Sequence, residues 1–200
     1  LYNKKGNREN GRIVFLNDAV LGTNGGAWNQ PVIATTWTPE EAGERNAIIQ
    51  ELAKRSGSHW GFKDPRALFT LPFWLEAIDK PAFIGTFRHP QRVALSLNSR
   101  DETPIEQGWE LWHAYNQRLL ELAAEYRFPM VDFDMEPEAY LDDTLAKLVS
   151  LGLDPALQDK ARQFFDSGLR NQSASSVDDV ELPAHISQLY NELRAYHQQS

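Results

Sequence analysis

The chain has 200 residues, 42% apolar and 11% aromatic, enough for one domain with a substantial core. Its formal net charge of -8 argues against a nucleic-acid surface, which depends on clustered Lys and Arg, but it leaves room for a small anion held by a few well-placed cations. No run approaches the ~20 apolar residues of a membrane span and no signal sequence is seen, while the lack of cysteine excludes disulfides and thiolate metal sites and fits a soluble protein of a reducing cytoplasm.

The opening LYNKKGNRENGR reads as a polar loop entering a short helix over IVFLNDAVL, through Ile13, Asn17, Val20 and Leu21, with no cap or strand before it. The Gly-Gly and Asn-Gly pairs of GTNGGAWNQP predict a turn or loop. At Thr38-Pro39-Glu40-Glu41 a helix begins, with Thr38 as N-cap, Pro39 at the first helical position and Glu41 closing a capping box. Ile48, Ile49, Leu52 and Ala53 form its apolar face, and Ser56-Gly57 ends it. Thr103-Pro104-Ile105-Glu106 repeats the start signature ahead of a long helix that carries Ile105, Trp109, Trp112, Leu119, Ala123 and Tyr126 on one side and ends near Arg127.

Three short segments read as strands: HWGFKD (59 to 64), AFIGTF (82 to 87) and MVDFDM (130 to 135), each followed by a helical pattern. That alternation predicts an α/β class with a parallel sheet covered by helices on both faces. The tail from Pro137 reads as three helices, EAYLDDTLAKLVSLGL, PALQDKARQFFDSGL and LPAHISQLYNELRAYH, with residues 170 to 181 as a loop. No internal repeat is present, and the whole of 1 to 200 is taken as one domain.

Ligands of open parallel sheets bind outside the carboxyl ends of the strands, so chemistry is sought there. The first two candidate strands run into cations, Lys63-Asp64-Pro65-Arg66 and Arg88-His89-Pro90, and the third into Asp132 and Asp134, which share one strand face. In FRHPQRVALSL, Pro90 suits a first helical position, and Arg88, Arg92 and Ser96 then lie on one stripe, with Val93, Ala94 and Leu97 left to pack on the sheet. An arginine fork beside a serine hydroxyl suits a phosphate or sulfate. The alternative is an Arg88 that makes only a rim ion pair.

In order along the chain, RENGRIVFLNDAVL with GGAW, WGFKDPRALFTLPFW, FRHPQRVALSL, WELWHAYNQRLLEL and FPMVDFDMEPEAYLDDTLAKLVSLGL resemble a bacterial-type domain of the sulfotransferase superfamily over most of residues 9 to 153. The resemblance implies a three-layer α/β/α architecture of the P-loop type and the cosubstrate 3'-phosphoadenosine 5'-phosphosulfate (PAPS), with Arg88 and Ser96 on its 3'-phosphate, Arg92 beside them and His89 within reach of the nucleotide. It places Lys63 as the cation of sulfuryl transfer, assisted by Arg66, and Asp64 or Glu9 as the base that deprotonates an acceptor hydroxyl or amine. Against those roles, Asp64 serves equally to brace Arg66 or cap the next helix, and Glu9 to face solvent.

The family's glycine-rich loop of type G-x-x-R-S-G-T, between a first strand and helix, is missing. Lys54-Arg55-Ser56-Gly57-Ser58 imitates it but follows a helix and precedes a strand, so it reads as a helix end, and the missing strand, loop and helix are expected upstream of Leu1. The acceptor is expected to be a carbohydrate or other small polar metabolite.

His59, His89, His113, His185 and His197 are scattered without ligand spacing, so no metal is expected. Trp109 and Trp112 are assigned to the core, Trp28 to an acceptor or adenine contact or a loop anchor, and Asp132 and Asp134 to bracing loops or orienting basic groups. Two rivals stand beside the enzyme: a non-catalytic nucleotide-binding or scaffolding relative, and a P-loop kinase-like phosphotransferase needing magnesium.

Overall fold

A computed structural model describes residues 10–56, 59–165 and 180–200. The chain forms two compact units, one reaching to Pro81 and one from Ala82 to Ser200. Glu9, Gly57 and Ser58, and most of the loop expected over 170 to 181, lie outside the described residues.

The first unit is helical. Helix α1 (Gly11–Thr23) is longer than expected and does have a cap: the Asn10 side chain accepts from Arg12 N at 3.0 Å. That replaces the uncapped start expected from the sequence, and the choice of Asn follows from its short side-chain acceptor. Helix α2 (Pro39–Ser56) opens on the predicted capping box, with Thr38 N–H donating to Glu41 Oε2 at 2.7 Å and Glu41 N–H to Thr38 Oγ1 at 3.2 Å. Lys54, Arg55 and Ser56 are its last residues, as the helix-end reading expected. Between α1 and α2 the Asn24 amide closes the loop, donating to Val20 O and Thr36 O and accepting from Thr35 N–H.

Residues 59 to 64 are a correction: they pair with no strand among the described residues. The chain turns at once into α3 (Ala67–Leu75), where Ala67 N–H already donates to Asp64 O. Phe62 instead spends its apolar surface on Trp74, with ring centres 4.6 Å apart. The core joins Ile13, Leu16 and Val20 of α1 to Ile48 of α2 and Phe73 and Trp74 of α3.

The second unit holds the parallel sheet. Strands β1 (Gly85–Phe87) and β2 (Met130–Asp132) pair in parallel with Gly85 opposite Met130 and Phe87 opposite Asp132. Both are shorter than expected, because Phe133 and Asp134 form a turn rather than continuing β2. The connection runs through α4 (Pro90–Asp101) and α5 (Ile105–Tyr126). Pro90 sits at the start of α4 as anticipated, whereas Thr103 makes no side-chain cap for α5, whose N-cap is Pro104. Helix α5 ends as expected with Arg127 in the left-handed region at φ 54°.

Helices α6 (Pro137–Ser150), α7 (Gln158–Phe164) and α8 (Ala184–Gln199) follow, with a 3-10 turn at Pro155–Leu157. Lys147 of α6 is buried, donating to Met130 O at 2.6 Å and Asp143 Oδ2 at 3.1 Å, which satisfies a β2 carbonyl. The result is mostly helical with a two-stranded parallel sheet. No helix among the described residues is long and apolar enough to cross a membrane.

Ala94 packs against α5 at Gly108, where an added Cβ would lie 2.9 Å from both Ala94 Cα and Cβ. Gly108→Ala should therefore force α4 and α5 apart and cost roughly 1–3 kcal/mol in urea unfolding, since overpacking here meets backbone rather than a movable side-chain tip. An unchanged midpoint would contradict this packing.

Candidate functional site

Where β1 and β2 end, the chain gathers its charges. Arg88 leaves β1 and Asp134 lies in the turn after β2, with the Arg88 Nε and Nη2 each 3.3 Å from Asp134 Oδ1. The Arg92 Nε lies 3.7 Å from the same oxygen, from one turn inside α4. Asp134 Oδ2 accepts from His89 N–H at 2.6 Å, so one carboxylate gathers two guanidinium groups and the amide at the head of a helix. The Asp134 side chain is 13% exposed, against 26% for Arg88 and 20% for Arg92.

Each member is held from behind. The Asp134 N–H donates to Asp132 Oδ1 at 2.9 Å, which fixes the turn. Arg88 lies over the Phe133 ring at 4.8 Å. The His89 Nδ1 accepts from Gln91 N–H at 3.2 Å, making His89 the N-cap of α4 and leaving the proton of a neutral ring on Nε2. From α5, the Trp112 indole donates to Arg88 O and that of Trp109 to Gln91 Oε1, both at 2.9 Å. Trp112 is core as expected, and Trp109 is only half-buried; what the helical stripe did not reveal is that the Trp112 indole holds the strand-end loop at Arg88 and that of Trp109 the first turn of α4 at Gln91.

Tyr190 of α8 covers the other side, its ring 5.0 Å from that of His89 and 6.2 Å from those of Phe87 and Trp112. Burial, with Asp132 and Asp134 nearby, pushes the Tyr190 phenol up to about 12. Burial also raises the Asp132 carboxyl, and Asp134 adds to that, against the opposing pull of the Asp134 N–H bond, His197 and Arg194. Tyr190 and the C-terminal helix carried no spacing signal that would have tied them to residues about a hundred positions earlier.

Of the proposed nucleotide residues, Arg88, His89 and Arg92 therefore come together, and Ser96 stands half-buried one turn beyond Arg92 on α4. The rim ion pair offered as the alternative for Arg88 is also real, with Asp134 as its partner. Asp132 and Asp134 act as the sequence suggested, bracing the turn and orienting the basic groups.

The residues expected to act in transfer lie in the first unit. Lys63 is exposed and its neighbour Asp64 is buried. Arg66 pairs through Nε with Asp18 at 2.6 Å and through Nη1 with Asp64 at 3.1 Å, and Asp64 Oδ1 also accepts from Arg66 N–H. This is the bracing geometry named as one alternative for Asp64, whereas the cap on the next helix is not formed, since the N-cap of α3 is Arg66 with no side-chain cap bond. The second Asp64 oxygen, Oδ2, is buried without a hydrogen-bond partner. Nearby in the same helix pair, Asn17 Oδ1 accepts from Thr70 Oγ1 and Trp74 Nε1, a buried polar link that the periodic pattern counted only as a core position.

Among the described residues no group of three or more His, Asp or Glu side chains is arranged to hold a metal. His113 and His185 meet with ring centres 5.1 Å apart, and the His185 Nε2 is 3.0 Å from Glu110. His197 sits 2.9 Å from Asp143. Comparison with protein-family models, with curated proteins and with solved structures finds no match in any of the three.

The high Tyr190 value sets a pH prediction. A phenol that ionises later in the folded state than in the unfolded chain lends stability that is intact below pH 10 and lost as pH rises towards about 12. Chemical unfolding across that range should show a loss that Tyr190→Phe removes, and the phenolate band of Tyr190 should appear near pH 12. A Tyr190 that titrates near 10 would contradict its burial against Phe87, His89 and Trp112.

Proposed function

We propose that the chain is a sulfotransferase-like domain in which the ends of β1 and β2 bind the 3'-phosphate of PAPS. The observation that carries this reading is the strand–arginine–helix element: Arg88 follows a parallel strand, Pro90 starts the next helix, and Arg92 and Ser96 succeed it on the same stripe. In this reading β1 and β2 are two strands of a larger three-layer α/β/α sheet of the P-loop type. His89 contributes its ring or its backbone N–H to the same nucleotide.

For transfer, a base removes the acceptor hydroxyl proton, the acceptor oxygen forms a new bond to sulfur, and the sulfur–oxygen bond to the nucleotide phosphate breaks, releasing adenosine 3',5'-bisphosphate. Lys63 supplies the cation at the moving sulfuryl group. Arg66, held between Asp18 and Asp64, supplies a second, oriented charge. The burial of Asp64 and its pairing with Arg66 favour a positioning role for it, which moves the base assignment to Glu9. No metal takes part in this scheme, and the acceptor is a carbohydrate or other small polar molecule.

A second reading has its own support. Among the described residues there is no strand, glycine-rich loop and helix in that order, and the closest imitation in the sequence begins with the last residues of α2. A domain with only the 3'-phosphate half of the site would bind nucleotide without transferring sulfate. A kinase-like phosphotransferase would need a Gly-Lys-Thr/Ser loop that these residues also lack.

Titration of the protein with adenosine 3',5'-bisphosphate tests the shared element. Arg88→Ala should weaken binding by about 1.5–3 kcal/mol, roughly ten- to a hundredfold. Equal affinity before and after the substitution would remove Arg88 from the site. Sulfate transfer from PAPS by the unaltered protein separates the enzyme from the binder.

A further inference from the structure

We infer that Asp134 is a resident anion: its carboxylate occupies the seat that an incoming oxyanion takes, so that binding requires its displacement and Asp134 sets the affinity of the site. The inference rests on the reading of Arg88 and Arg92 as an anion site.

Its two oxygens are bound as two oxygens of a phosphate or sulfate would be. Oδ1 faces both guanidinium groups, at 3.3 Å from Arg88 and 3.7 Å from Arg92, and Oδ2 takes the helix-head N–H of His89 at 2.6 Å. The backbone of the turn is pinned separately, by the Asp134 N–H on Asp132 Oδ1, so the carboxylate can rotate out without unmaking the turn. Its side chain is 13% exposed, so it reaches solvent at the edge of the site.

Charge decides which ligands displace it. Two guanidinium groups present two positive charges to this seat, and the resident carboxylate brings one negative charge. A monoanion would exchange like for like and gain nothing. A dianionic oxyanion brings a second negative charge to the two guanidinium groups, so the resident carboxylate screens against small monoanions while admitting phosphate, sulfate or a phosphate monoester.

The test compares the unaltered protein with Asp134→Asn, which keeps an acceptor for His89 N–H but removes the charge. Inorganic phosphate, sulfate and adenosine 3',5'-bisphosphate are titrated separately, to distinguish a general oxyanion seat from one that needs the nucleotide. The inference expects Asp134→Asn to bind at least one of them about tenfold or more tightly. Equal or weaker binding by the folded variant, with Arg88→Ala still losing affinity, overturns the displacement role and leaves the anion site standing. Absence of saturable binding by every form overturns both. If Asp134→Asn does not fold, nuclear magnetic resonance of the unaltered protein decides: the His89 amide and Arg88 Nε signals must shift together and saturate with the ligand, and saturable binding that leaves them in place overturns the inference.

Discussion

The carboxylate of Asp134 is the constraint on which the second unit turns. Two parallel strands that end side by side bring the residues following them into one place, and here those residues include two arginines. Without a counter-charge, Arg88 and Arg92 would repel each other at the head of α4, where the helix dipole is itself unfavourable to cations. Asp134 answers both guanidinium groups and the His89 N–H at once. The surrounding elements then pack around that fixed point. Two tryptophans of α5 hold Arg88 O and the Gln91 side chain by their indole N–H groups, and the ring of Tyr190 of α8 meets that of His89 edge-on. The end of a small sheet is thereby tied to α4 and α5 by polar bonds of defined direction, with α8 added through a ring contact, where apolar burial alone would leave their register loose.

The first unit solves a related problem with different residues. Arg66 leaves the loop before α3 between Asp18 and Asp64, and Asn17 crosses from α1 to Thr70 and Trp74. Arg45, almost fully buried, lies over Phe73 and pairs with Glu76. In both units, then, arginines are oriented by carboxylates that precede any ligand.

Much of this was legible in the sequence where the signal is local. The capping box at Thr38, Pro90 at the head of α4 and the end of α5 at Arg127 follow from short-range stereochemistry, and the alternation of strand and helix patterns predicted a parallel sheet, though not which strands pair in it. Errors came where one local signal had two outcomes. HWGFKD has the apolar content of a strand, but the turn before α3 and the stacking of Phe62 on Trp74 claim it first. Thr103 matches the letters of a capping box, yet the helix begins one residue after Pro104 and leaves the threonine outside it. The site divided in the same way. The stripe of Arg88, Arg92 and Ser96 is a matter of helical spacing, whereas the convergence of Asp134, Trp112 and Tyr190 depends on tertiary packing that no spacing encodes.

A double-mutant cycle on Arg88 and Asp134 tests this account most directly, with unfolding free energies of Arg88→Ala, Asp134→Ala and the pair measured in urea. A charge-assisted, partly buried bond predicts a coupling energy of about 1–3 kcal/mol, the double variant losing clearly less than the sum of the single ones. Additive losses, within about 0.5 kcal/mol, would mean that the carboxylate does not organise the strand ends, and the site built on it would fall with it.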